Sequence, residues 1–227
     1  MSAQAVLAQL EAAGSAQTRK TYARHGITGR VWGVSYAVLG QLTRRIRRDH
    51  PLATELWASG WHDARVLATM IADPQQADAK LLNAWAADCN NCAVAGALAK
   101  LAAASPEAEV MAEKWRASRH EMEAVAGWDT VAELALKSTL PDAKFGAWLK
   151  LIEREIHQSP NFVRQAMNNA LIAIGCRNEK LEKLAVAAAK RIGPVTVDHG
   201  DTACQTPEAV AYIAKTWARR AKKAGNK

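Results

Sequence analysis

Apolar positions recur at helical spacing along nearly the whole chain. From 142 to 157, Phe145, Trp148, Leu149, Ile152 and Ile156 fall on one stripe, while Lys144, Lys150, Glu153 and Arg154 fall outside it. That pattern predicts a helix with one buried face and one wet face. Ser105-Pro106-Glu107, Leu140-Pro141-Asp142, Ser159-Pro160-Asn161 and Thr206-Pro207-Glu208 each put proline where a missing backbone N–H costs nothing, which predicts helix starts near 106, 141, 160 and 207. Further helices are predicted at about 4–12, 35–48, 51–59, 62–72, 77–88, 92–103, 108–137 and 179–192, with Gly127 a point where the longest could break. Only 193–205 resists, because Gly193, Pro194 and the alternating Val195, Thr196 and Val197 demand an extended segment and a turn before the last helix.

Short spacers and the lack of any glycine- or serine-rich linker favour one continuous all-α stack of antiparallel helix pairs, a single domain over 1–227. No identical internal repeat marks the stack. Composition agrees: alanine makes up about a fifth of the chain, 49% of residues are hydrophobic and 23% are charged, which excludes an all-β fold and intrinsic disorder. No apolar run approaches the ~18 residues of a membrane span. Met1-Ser2-Ala3-Gln4 carries no basic then apolar leader pattern, so the expected location is cytoplasmic.

Charge changes the picture more than composition does. The net charge of +8 is concentrated at two places: residues 15–50 hold eight Lys or Arg against Asp49 alone, and 212–227 hold six with no acid. Such basic stripes are the footprint of a polyanion binder, or of a solvated charged face. Arg44, Arg45, Arg47 and Arg48 close a predicted helix, where cations suit the dipole, but four in five positions exceed what capping requires. Arg24 and Arg30, and Lys215, Arg219 and Arg220 on the last helix, complete the candidate phosphate contacts.

Other motifs have plainer readings. Cys89-Asn90-Asn91-Cys92 is a C-x-x-C without a second pair, and the distant ligands to hand are His199 and Cys204, so no metal or cofactor is predicted and the four cysteines are expected to be reduced. Asp198-His199 beside Cys204 reads as a pair tying down a turn rather than an activated thiol. In Trp61-His62-Asp63-Ala64-Arg65, Asp63 stands near a helix N-terminus and Arg65 can reach an acid on a neighbouring element, which predicts a structural clamp.

Several segments together resemble the DNA alkylation repair family of AlkD-like alkylpurine DNA glycosylases. They are Tyr22-Ala23-Arg24-His25-Gly26, Gly33-Val34-Ser35, Leu39-Gly40, Leu52-Ala53, Leu56-Trp57, His62 to Ala68, Ile71-Ala72-Asp73-Pro74, and downstream Asn161 to Arg164, Ala166-Met167-Asn168, Ala170-Leu171, Ile174-Gly175 and Arg177-Asn178. The likeness covers about residues 20–192 and implies a HEAT-like superhelix, an α-solenoid whose basic concave surface holds duplex DNA. The family's chemistry uses a carboxylate against developing sugar charge, with two Trp and an Arg framing the lesion. Aligned through Trp85, Asp88, Trp115 and Asn168, those slots hold Cys92, Gly96, Val125 and Asn169, and no carboxylate lies between Asn90 and Leu98.

The leading expectation is therefore a monomeric protein that binds duplex DNA, damaged or branched forms included, without the family's catalytic set. The alternatives are a glycosylase with a rearranged site, using Asp129, His199 or Asp63, and a protein-interaction solenoid.

Overall fold

The computed structural model describes residues 1–225 and, among them, thirteen α-helices and no strand. In chain order they are α1 (Ala3–Ala13), α2 (Ala16–Arg24), α3 (Tyr36–Ile46), α4 (His50–Ala58), α5 (His62–Ile71), α6 (Ala79–Ala87), α7 (Cys92–Ala104), α8 (Ala108–Arg116), α9 (Glu121–Lys137), α10 (Asp142–Glu155), α11 (Asn161–Gly175), α12 (Glu179–Ile192) and α13 (Ala209–Gly225). Two compact units divide them: Met1–Met111 with His199–Ala203, and Ala112–Asp198 with Cys204 onward. No helix among the described residues is long and apolar enough to cross a membrane.

Local sequence explains most boundaries. Ser2, Ser15, Ser35, Asp49, Asp78, Asn91 and Asn178 each accept a backbone N–H in the first turn of the helix that follows. Pro141 and Pro160 are extended at ψ 145 and 160, so each is the last residue before its helix, which starts one residue later than expected. The last helix starts at Ala209 rather than 207, because the Glu208 carboxylate accepts from the amides of Val210 and Ala211. After Pro106 the chain makes a turn, and α8 begins only at Ala108.

Two expectations need correction. The predicted 108–137 helix is broken at 117–120, not at Gly127. Ser118 braces the turn before the new start, accepting from His120 N and donating to Glu123 Oε2. Gly127 sits inside α9 because a Cβ there would lie 2.1 Å from Arg116 N and 2.6 Å from Trp115 C, so only glycine admits the end of α8. The second correction is α2, which periodicity missed. Tyr22 is its one buried residue, so no apolar stripe announces it.

In the first unit α5 is central, packed against α3, α4 and α7. In the second, α9, α11 and α13 lie side by side in one layer, while α10 and α12 form the other. The stripe of α10 is buried at Phe145, Trp148, Leu149 and Ile152, and Ile156 just beyond is buried too.

Candidate nucleic-acid interface

In the first unit, the conspicuous motif residues build scaffold. The Asp63 carboxylate is fully buried and accepts from the backbone amides of Trp32 (2.8 Å) and Val34 (2.7 Å). Tyr22 Oη donates to Val34 O at 2.7 Å, and burial, then Tyr36 and Asp63, pushes its pKa up to about 12. Arg65 pairs with Asp88 at 3.4 Å and lies over the Trp57 ring, whose Nε1 donates to the same carboxylate. Trp57 in turn stacks flat on Trp85. The expected clamp is therefore present, and Asp63, Trp85 and Asp88 serve as structural groups. His62 is buried edge-on to Tyr22, with Asn91 Nδ2 at 3.4 Å from its Nδ1, and burial holds its pKa below the ordinary value although Asp63 opposes that.

Arg44, Arg45, Arg47 and Arg48 are all exposed around the α3–α4 turn. Arg45 donates to Gln9 of α1, and Arg48 pairs with Asp73 at 3.3 Å. Arg44 and Arg47 have no side-chain partner among the described residues. Arg47 is the one positive-φ residue other than glycine among them, at φ 65 and ψ −129. A bulky residue there stores strain of about 1–3 kcal/mol that glycine would relieve. Arg24 is exposed at the end of α2. Arg30 reaches Ser59 O at the far end of α4, so roughly 13 Å of helix separates it from the Arg47–Arg48 turn.

In the second unit, Arg177 spans the end of α9, donating to the carbonyls of Ala135, Ser138 and Leu140, each at 2.9 Å, while its plane covers Phe145. Asn178 caps α12 and donates to Asp142. Gly175 lets α13 approach α11, since a Cβ there would meet Ile213 Cδ1 at 2.5 Å. Arg220 closes that contact by donating to Cys176 O and lying over Trp217, a cation at the negative end of α11. Lys215, Arg219 and Lys222 follow at i, i+4 and i+7 along the exposed side of α13. Lys223 is exposed beside them, and Lys227, the last cation of that basic stretch, lies outside the described residues.

Between α9, α11 and α13 runs a groove of about 720 Å³. Its walls are apolar at Leu136, Ile172 and Tyr212, Asn169 and Thr216 supply polar groups, and no lining residue is acidic. Burial pushes the Cys176 thiol at its edge upward, which disfavours thiolate chemistry there. This groove was not foreseen. Leu136 and Tyr212 look like ordinary periodic apolar positions, and only the packed structure leaves them about half exposed.

The four family slots have distinct settings. Cys92 opens α7 and Gly96 stands one turn on, both half-buried. Val125 is buried in α9, and Asn169 is exposed in the groove. Asp129 is half-buried on α9, on the stripe of Ala132 and Leu136. The amide of Phe162 donates to Glu121 at the start of α9, and Arg177 donates to Ala135 near its end. These bonds make α9 and α11 parallel, with Asp129 level with the turn that holds Asn169. Among the described residues no three of His, Cys, Asp and Glu converge as metal ligands. The Cys89–Cys92 motif is the α6–α7 turn, with Asn91 capping α7.

Over residues 6–213 the chain matches the family model described as DNA alkylation repair enzyme. It is 27% identical to an uncharacterized protein of Listeria innocua over 213 residues, covering 91% of this chain and 93% of that one. It is 26% identical to an uncharacterized protein of Listeria monocytogenes over the same shares. Among solved structures it is similar, at TM-score 0.88 and 28% identity over 97% of this chain and 95% of the other, to a member of a new family of proteins related to the HEAT-like repeat DNA glycosylases with affinity for branched DNA structures.

Proposed function

The chain belongs to the DNA alkylation repair enzyme family with a HEAT-like helical repeat fold, and from that premise we propose that it is a monomeric DNA-binding protein that grips duplex and branched DNA through backbone phosphates and lacks the family's usual base-excision set. The carrying observation is the uncompensated charge. Arg44 and Arg47 are exposed without an acidic partner among the described residues, Arg47 is kept in a backbone conformation that suits glycine, and α13 presents Lys215, Arg219 and Lys222 with no acid on the helix. The affinity of the solved relative for branched DNA favours junctions among the substrates.

Roughly five neutralised phosphates give a log–log salt slope near −4 to −5, with weak sequence dependence. Anisotropy titrations of labelled duplex and four-way junction across a salt series test this. A flat salt response would defeat it. For excision, the positions that the family resemblance assigns to its catalytic set hold Cys92, Gly96, Val125 and Asn169, which offer no carboxylate and no aromatic ring. Loss of one such electrostatic group costs about 10²–10³ in rate. Little 3-methyladenine or 7-methylguanine should therefore be released above the no-protein control, and Gly96→Asp alone should restore little.

A second reading, excision by a relocated carboxylate, is favoured by the position of Asp129 on α9 level with the turn of α11 that holds Asn169. Robust base release abolished by Asp129→Asn would establish it.

A further inference from the structure

We propose that the groove of the second unit takes an unpaired nucleotide of a single-stranded DNA arm, an inference that rests on the DNA-binding reading above. Its volume of about 720 Å³ is that of a small-molecule cleft rather than a packing defect. Chemistry narrows the occupant. The walls Leu136, Ile172 and Tyr212 are apolar, and the Tyr212 ring, half exposed, has no aromatic partner among the described residues. A base stacks on such a ring whatever its identity. Asn169 on the wall of α11 presents an amide that can both donate to and accept from a base edge.

The rim then selects for an anion. Arg219, Lys222 and Lys223 line the α13 side, and no lining residue is acidic. Arg220 is already committed to Cys176 O and Trp217, so the other three remain for phosphate. A planar apolar face joined to a phosphodiester is a nucleotide, and it must be unpaired because a paired base offers no free face to a side wall. A neutral apolar peptide would leave the three cations uncompensated, and a duplex would leave the apolar walls unfilled.

The test compares a nicked duplex with the same duplex carrying a four-nucleotide 5′ flap, with 2-aminopurine as the first unpaired base. The flap is expected to bind about tenfold tighter, and the 2-aminopurine emission to fall as the base stacks. Tyr212→Ala and Leu136→Ala, both at exposed positions, should return flap affinity to the nicked-duplex value and restore emission, with unchanged nicked-duplex affinity and thermal midpoint. Equal affinity for flap and nicked duplex with bright emission overturns this inference alone. Absence of binding to either DNA defeats the DNA-binding reading and this inference with it. An Asp/Glu-rich peptide that displaces the flap while (dT)4 does not would assign the groove to an acidic protein segment and overturn the proposal.

Discussion

The two units hold their frameworks with charges of opposite sign. In the first, the buried Asp63 carboxylate collects the amides of Trp32 and Val34, while in the second the Arg177 guanidinium collects the carbonyls of Ala135, Ser138 and Leu140. A loop that leaves amides facing inward needs an acceptor, and a helix end that leaves carbonyls needs a donor. Their outward charges differ as well. The first unit displays arginines on a turn, and the second sets cations beside an apolar groove. On the proposed reading, charge of one sign serves two tasks, gripping phosphate and cradling a nucleotide, and the neighbours decide which.

Breaking the framework pair should give the largest effects. Asp63→Ala leaves two buried amides without their acceptor and should lower the urea unfolding free energy by about 3 kcal/mol or more. Arg177→Ala strands three carbonyls that are partly reachable by water, so about 2–3 kcal/mol is expected. If Asp63→Ala cost less than Arg177→Ala, burial would not be what separates the two solutions.

The outward charges are sharpened by a salt series. Arg44→Ala with Arg47→Ala should flatten the log–log salt slope by about two, since each removed phosphate contact is worth about 0.9. Arg45→Ala with Arg48→Ala should flatten it less, because Gln9 and Asp73 already hold those side chains. Equal effects from the two pairs would show that these intramolecular contacts yield to DNA without loss.

A smaller effect separates stability from binding at one residue. Arg47→Gly removes backbone strain at φ 65 and should stabilise the protein by about 1 kcal/mol while flattening the salt slope by about one. A destabilised Arg47→Gly would mean the strain reading is wrong.

The smallest effect is a pH dependence that falls in a different window in each unit. Burial depresses the His62 pKa below its ordinary 6.5, so just below pH 6.5 the unfolded chain takes up a proton that the folded chain refuses. Stability from this group is present above pH 6.5 and is lost as pH falls toward the lower folded value, by at most about 1.4 kcal/mol per pH unit. Glu113 in the second unit acts in a lower window. Burial raises its pKa, but hydrogen bonds from Lys144 and Arg116 outweigh that and hold it below its ordinary 4.5. Its contribution is present above that value and is lost only as pH falls further. Melting curves of wild type and His62→Gln from pH 7.5 to 5.5 should therefore diverge, and parallel curves would exclude His62 as the source.

The sequence by itself determined what is local. Helical periodicity located the stripe of α10, side-chain caps and prolines placed most boundaries to within a residue or two, and the two basic stretches were visible as charge runs. These features depend on residues within about one helical turn of each other. Tertiary structure decided which side chains were consumed and which were left outside. Asp63 meets Trp32 across 31 positions, Arg65 meets the carbonyl of Asp88 across 23, and Arg177 meets Ala135 across 42. The same packing spared Arg44 and Arg47, left Leu136 and Tyr212 half exposed around a groove, and moved the break from Gly127 to 117–120. A charge pattern gives the sign and density of a surface, but whether a given charge faces solvent depends on the donors and acceptors that folding brings to it from distant segments.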